Sequence, residues 1–167
     1  MPAPLSLISR APNALHPAAR GTGLEFDLAD IAAGLATTAR DVWLDDGDAN
    51  RRFTRVLATA TYDAWIIRWH TSSELRLHDH GKSAGVVQVV EGELVEVCVD
   101  RPSDVLRTRT VRADQAIRIE PCTIHAVSNV SSHEALSVHV YSPPLSRMTF
   151  YTERDGELTR AETRLVP

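Results

Sequence analysis

The residues in this sequence best suited to chemistry are histidines. There are seven in 167 residues, and two of them, His78 and His80, stand one residue apart. On a β-strand, side chains at i and i+2 point to the same face. Two imidazoles on one inward face of a barrel can share a metal ion about 2.1 Å from each ring nitrogen. The third ligand must come from another strand. His125 is the candidate, because it follows Pro121 at a turn and opens the run His125-Ala126-Val127-Ser128-Asn129. His16, His70 and His133 fall outside the pattern and read as surface or core histidines. Three neutral imidazoles leave a divalent ion its full charge and open positions. Such a site suits an anionic chelating ligand, and a soft thiolate fits that description.

A second set shares one face of another strand-like run. Ser137, His139 and Tyr141 occupy i, i+2 and i+4 of Ser137-Val138-His139-Val140-Tyr141. A serine hydroxyl can orient an imidazole, which can orient a phenol, so the set can hold a tyrosine hydroxyl over a metal. The same alternation also describes a solvated strand face.

These residues need strands to position them, and the chain supplies many. Phe53–Leu57, Ala64–Trp69, Leu75–His78, Val86–Val90, Leu94–Val99, Leu106–Val111, Gln115–Ile119, His125–Asn129 and Leu136–Tyr141 read as strands. Turn signals separate them at Gly81, Glu91-Gly92, Pro102-Ser103-Asp104, Ala113-Asp114, Pro121 and Ser131-Ser132. Short strands at this spacing predict an antiparallel sandwich or barrel. Before them, Leu28, Ile31, Leu35 and Ala39 form a helical stripe over Glu25–Arg40, with Asp27 as N-cap. Residues 1–24, rich in Ala, Pro and Gly, read as a loose arm. The organisation expected is a single mainly β domain. Its arm and helical segment span 1–50 and its barrel spans 51–167. Beyond Pro143 the tail shows a mixed run, Met148–Tyr151, and a charged end.

Composition narrows the function. Hydrophobic residues make up 43% and charged residues 24%, which fits a globular chain and excludes a disordered or collagen-like one. The near-apolar stretch Ala84–Val90 is too short to span a bilayer. Net charge is −4 with no basic cluster, which argues against nucleic acid as the partner. The start Met1-Pro2-Ala3-Pro4-Leu5 lacks a basic region followed by an apolar core, so no signal peptide is expected. Two cysteines, Cys98 and Cys122, make no disulfide framework, and a cytoplasmic location follows as the default.

The spacing His78-x-His80, four residues, Gly85, six residues, Gly92 resembles the first motif of the cupins. Pro121-x-x-x-His125-x-x-x-Asn129 resembles the second, one residue shorter between Pro and His than the usual form. Gly85 stands where that pattern usually has Glu. Together with Ser137-Val138-His139-Val140-Tyr141-Ser142-Pro143-Pro144, these motifs resemble the cysteine dioxygenase (thiol dioxygenase) family of cupins over about residues 50–152. Phe53-Thr54-Arg55, ending 23 residues before His78, resembles the family segment whose arginine binds the substrate carboxylate.

The resemblance implies a cupin-type antiparallel β-barrel, or jelly roll. It implies non-haem Fe(II) held by His78, His80 and His125. It implies a small thiol and O2 as substrates, with both oxygen atoms ending on sulfur as a sulfinic acid. L-cysteine is the first candidate; 3-mercaptopropionate or another small thiol is the alternative. A cupin that binds metal and ligand without turnover is a third reading. Tyr141 would hydrogen-bond near the substrate, His139 and Ser137 would position it, and Arg55 would pair with a carboxylate. Ser142–Pro143 would be cis.

Three departures stand out. Animal members carry Cys at the position of Gly85, joined by a thioether to the active-site tyrosine, so here Tyr141 is a free phenol. Phe53 lacks the hydroxyl of the tyrosine common there, and Val56 replaces a common Asn. Three histidines also bind Ni, Cu or Zn. A monomer or weak homo-oligomer is expected.

Overall fold

The computed structural model describes residues 27–100, 105–155 and 157–166. The arm expected over 1–24 and the turn at Pro102-Ser103-Asp104 lie outside them. Among the described residues, one α-helix, α1 (Leu28–Ala36), precedes twelve strands. The strands are β1 (Asp46–Gly47), β2 (Arg51–Ala58), β3 (Asp63–Trp69), β4 (Ser73–Asp79), β5 (Ala84–Glu91) and β6 (Glu93–Asp100). They continue with β7 (Val105–Arg112), β8 (Ala116–Ile119), β9 (His125–Asn129), β10 (Ala135–Ser142), β11 (Arg147–Arg154) and β12 (Glu157–Leu165). They form two six-stranded antiparallel sheets, β1-β2-β3-β10-β5-β8 and β12-β11-β4-β9-β6-β7. The jelly roll is thus a flattened sandwich rather than a closed barrel. No helix among the described residues is long and apolar enough to cross a membrane.

The helix starts where the sequence predicts. Asp27 accepts a hydrogen bond from the Ala29 amide at 2.9 Å and a forked pair from Arg118. It ends sooner than Arg40. The β-branched pair Thr37-Thr38 follows Ala36, and the Thr37 hydroxyl donates to the Gly34 carbonyl at 2.7 Å, so a short 3-10 turn at Ala39–Asp41 takes over. The apolar stripe of α1 lies on the outer face of the first sheet. Ala32 is buried there with Ile66, Val86, Leu136, Val138 and Val140. Burial of each such valine contributes roughly 2 kcal/mol. Because α1 covers Leu136, Val138 and Val140, the alternate residues Ser137, His139 and Tyr141 face the interior. The face is therefore buried, not solvated.

The interior between the sheets holds Trp69, Leu75, Val87, Val89, Leu94, Ile117, Ile119, Val127 and Phe150. Gly92 turns β5 into β6 at φ +71°, and a Cβ there would sit 2.9 Å from the Glu134 carbonyl oxygen. The β11–β12 hairpin was not expected from the sequence. β12 is exposed along almost its whole length, so it carries no alternation to read. Ser142–Pro143 is cis.

Candidate metal centre and the face opposite it

The three histidines of the sequence pattern meet in the second sheet. His78 on β4 and His125 on β9 are direct register partners, and His80 follows the end of β4. All three are buried. The Nε2 atoms of His78 and His80 stand 3.1 Å apart, and one ring nitrogen from each histidine falls within 4.8 Å of the others. Two nitrogens about 2.1 Å from one ion and roughly at right angles to it lie about 3 Å apart, so the first pair has the separation of shared ligands.

Hydrogen bonds on the far side of two rings set the tautomers. His78 Nδ1 donates to the Arg76 carbonyl at 2.8 Å, and His125 Nδ1 donates to the Glu96 carboxylate at 2.8 Å. Both rings therefore present an Nε2 lone pair inward, and His125 Nε2 is buried with no partner. Burial, then the neighbouring histidines, hold the His78 and His80 imidazoles well below their usual pKa, so both are neutral. Converging ring nitrogens, one of them buried without a protein partner, are what a divalent ion requires. The donor set fits such an ion.

Glu96 was not anticipated from sequence. It lies on β6, 2% exposed, and accepts from His125 and from Arg109 of β7. Burial raises its carboxyl, but the hydrogen bonds from His125 and Arg109 outweigh this and keep it ionised. The carboxylate missing from the ligand set therefore stands one residue further out, behind a ligand ring.

The opposite face belongs to β10. Trp69 Nε1 donates to Ser137 Oγ at 2.9 Å, Ser137 Oγ meets His139 Nε2 at 2.9 Å, and His139 Nδ1 meets Tyr141 Oη at 3.0 Å. The indole can only donate. Ser137, fully buried, accepts from it, and among the described residues His139 Nε2 is the acceptor in reach of its own proton, so we assign the hydroxyl as the donor of that bond. The remaining His139 proton then sits on Nδ1 and is donated to Tyr141, whose hydroxyl proton is left for the cavity. Burial first, then His125 and Arg51, pushes His139 down to about 3. Burial and the Asp63 charge raise Tyr141, so it stays a phenol. Tyr141 is the register partner of Gly85, where a Cβ would lie 2.9 Å from the tyrosine ring. Its ring also lies 4.7 Å from that of His80, centre to centre.

Both faces line one cavity of about 460 Å³. Its wall includes the three histidines, His139 and Tyr141, with apolar Ile67, Leu75, Val127, Leu145, Met148 and Phe150. Phe53 lines it as well, offering a ring edge where a hydroxyl is absent. Arg55 differs from its expected placement. It shares the strand face of Phe53, but β2 runs near the sheet edge and its register breaks between Arg55 and Leu57. The exposed side chain lies over the Trp65 ring at 5.3 Å, outside the cavity wall. The arginine of β2 that does line the cavity is Arg51. The sequence signal for it was its parity with Phe53.

The family model for cysteine dioxygenase type I matches residues 41–154. The chain belongs to this family. It is 28% identical to cysteine dioxygenase type 1 of Rattus norvegicus over 116 residues, covering 63% of this chain and 58% of that protein. The figures for the Danio rerio enzyme are 28% over 117 residues, with the same coverage. The Homo sapiens enzyme is 26% identical over 116 residues, again covering 63% and 58%. The chain thus spans less than two thirds of these relatives. Among solved structures it resembles an oxalate oxidase, with TM-score 0.56, 19% identity and coverage of 63% and 57%. It also resembles the Schizosaccharomyces pombe Cnp3 cupin domain, with TM-score 0.53, 9% identity and coverage of 62% and 69%. These likenesses show a cupin fold. All the residues described above lie within the matched range, whereas α1 and β12 lie outside it.

Proposed function

We propose that this protein is an Fe(II)-dependent thiol dioxygenase that converts a small carboxylate-bearing thiol, L-cysteine first, to its sulfinic acid. One observation carries the reading: three buried imidazoles converge in a cavity whose opposite wall holds an oriented phenol. The family membership supports it. The net reaction, RSH + O2 → RSO2H, balances without an external reductant. Sulfur is oxidised by four electrons, and both oxygen atoms form bonds to it.

His78, His80 and His125 would hold the iron. The iron, when bound, supplies a Lewis acid for the thiolate and a one-electron partner for O2. The remaining work belongs to the chain. The apolar wall excludes water and strengthens each polar contact inside. Tyr141 donates its hydroxyl proton into the cavity, in a direction fixed by Trp69, Ser137 and His139. Glu96 holds the His125 ring and makes its free nitrogen a better donor. Arg55, at the rim, adds positive potential that favours anionic thiols. Gly85 leaves Tyr141 uncrosslinked. Phe53 contributes no hydrogen bond, so the amine of cysteine has no partner from that side, and 3-mercaptopropionate is the alternative substrate.

The test is anaerobic Fe(II) loading followed by O2 uptake with cysteine, 3-mercaptopropionate and cysteamine, using isotopically labelled O2. The expected result is one O2 consumed per thiol, with both labelled atoms in the sulfinate. Absence of uptake, or disulfide as the sole product, contradicts the proposal. The first of these outcomes would leave a metal-binding cupin without turnover.

A further inference from the structure

The cavity is larger and more apolar than oxidation of a small thiol needs. Its volume of about 460 Å³ is in the range of sites that bury ligands well beyond the size of cysteine. The polar side chains on its wall fall into two sets. His78, His80, His125, His139 and Tyr141 are buried at its inner end. Asp46 and Arg164 are exposed and mark the mouth, and Arg51 is tied to exposed Asp48 at 3.1 Å. The other lining side chains are apolar. On the first sheet they form a step. Phe53 and Ile67 are register partners, and Trp65 meets the Phe53 ring edge-on at 6.2 Å between centres. The Trp65 indole N–H is already donated to Asp63, so the side chains of this step offer no hydrogen bond. Met148 and Phe150 of β11 supply apolar wall from the second sheet. Ile67 and Met148 pack on the interior core yet stay half-buried. β3 is flanked by β2 and β10, so the open surface of Ile67 lies on the cavity. Apolar surface of this kind costs free energy while water covers it, and an apolar ligand removes that cost.

We propose that this cavity takes as substrates thiols that carry an apolar branch, of the size of an isobutyl or benzyl group, in preference to unbranched small thiols. The inference deepens the thiol dioxygenase reading and rests on it for the reacting group. The unbranched acids of that reading remain substrates, more weakly bound. The reaction is RSH + O2 → RSO2H with a larger R, so it balances unchanged. The sulfur end stays with the three histidines, facing the Tyr141 hydroxyl. The branch lies between the Phe53–Ile67 step and Met148. Each carbon fully buried there should tighten binding about three- to fourfold. Cysteine and 3-mercaptopropionate have no branch to set against these side chains and leave them wet. Met148 is unbranched and flexible, so it fits branches of different outline, and the class is set by apolarity and size.

The experiment is a ladder of ligands with one head group. Iron-loaded protein is titrated anaerobically by calorimetry with 3-mercaptopropionate and its 2-methyl, 2-isobutyl and 2-benzyl derivatives. O2 uptake with the same thiols is recorded in parallel. Kd should fall along the ladder, by about tenfold or more at 2-isobutyl and 2-benzyl relative to the parent. The heat-capacity change of binding should become more negative in the same order, as apolar burial requires. kcat/KM should rise with it. Met148→Gln keeps the length of the side chain and gives it a polar end. The advantage of the 2-benzyl derivative over the parent, measured within that variant, should shrink by about threefold or more. Thermal melting checks that the variant is folded, and the wild-type ladder decides the proposal without it. The proposal is overturned if Kd is flat or rises along the ladder, if 3-mercaptopropionate is oxidised and the branched thiols are only bound, or if folded Met148→Gln keeps the full 2-benzyl advantage. If neither cysteine nor any thiol of the ladder consumes O2, the dioxygenase reading falls, and the order of Kd alone still decides whether the cavity selects an apolar branch.

Discussion

The second sheet meets the cavity with a closed ionic chain, in which Arg109 donates to Glu96, Glu96 accepts from His125, and His125 turns a bare nitrogen inward beside His78 and His80. The first sheet meets it with a neutral chain. There Trp69, Ser137, His139 and Tyr141 pass hydrogen bonds in one direction and end on a phenol proton. Both chains are anchored by a group that can only donate, Arg109 on one side and Trp69 on the other. They differ in charge and in what they deliver. The ionic chain raises the electron density of a nitrogen lone pair, which serves a cation. The neutral chain aims a proton, which serves a developing negative charge on substrate or oxygen. A sandwich of two sheets allows this separation, because each chain is built on one sheet and neither depends on the other's register.

The comparison breaks most sharply at Tyr141. Tyr141→Phe removes the delivered proton and leaves the metal wall intact, so kcat for thiol oxidation should fall about 100-fold with iron content unchanged. Glu96→Gln acts on the other wall. It replaces the ionised carboxylate behind His125, and iron affinity should drop about tenfold or more, measured by competition with a chelator. Gly85→Ala should act on the neutral chain alone. The added Cβ would meet the Tyr141 ring at 2.9 Å, so the ring must move. kcat should fall while iron affinity holds.

How far these two walls could be read from sequence differs in an instructive way. The period of two places His78 with His80, and Ser137 with His139 and Tyr141, on shared faces whatever the register, so those residues were legible. Which face of β10 looks inward was decided by α1 covering Val138 and Val140, a tertiary contact that alternation alone does not reveal. Glu96 was hidden inside the apolar run Leu94–Val99. A lone carboxylate on the side of the buried Leu94 was the available signal. The Asp155-Gly156 pair after Arg154 was a hairpin signal for β11 and β12, and Asp155 has φ +52°. Arg55 shares a face with Arg51, and only the strand's position near the sheet edge separates the rim from the cavity.

Smaller effects sharpen the same contrast. Trp69→Phe removes the donor that sets the direction of the neutral chain. Ser137 can then reverse its proton, and kcat should fall several-fold with a wild-type iron affinity. His139 also leaves a mark on stability. Its folded pKa of about 3 lies below the ordinary value of 6.5. Between these two values the unfolded chain binds a proton that the folded chain does not, so stability falls as pH drops from about 6.5 toward 3. The slope from this residue is about 1.4 kcal/mol per pH unit. Urea unfolding of metal-free protein at pH 7, 6 and 5 should show a flatter decline in His139→Asn than in wild type.

The division of labour between the sheets is tested most directly by iron content in one matched series: wild type, His78→Ala, His125→Ala and Tyr141→Phe, each loaded anaerobically with Fe(II), desalted and analysed for metal. The account predicts about one iron per chain in wild type and Tyr141→Phe, and almost none in the two histidine variants. Iron retained by His125→Ala at the wild-type level, or lost from a folded Tyr141→Phe, would contradict it.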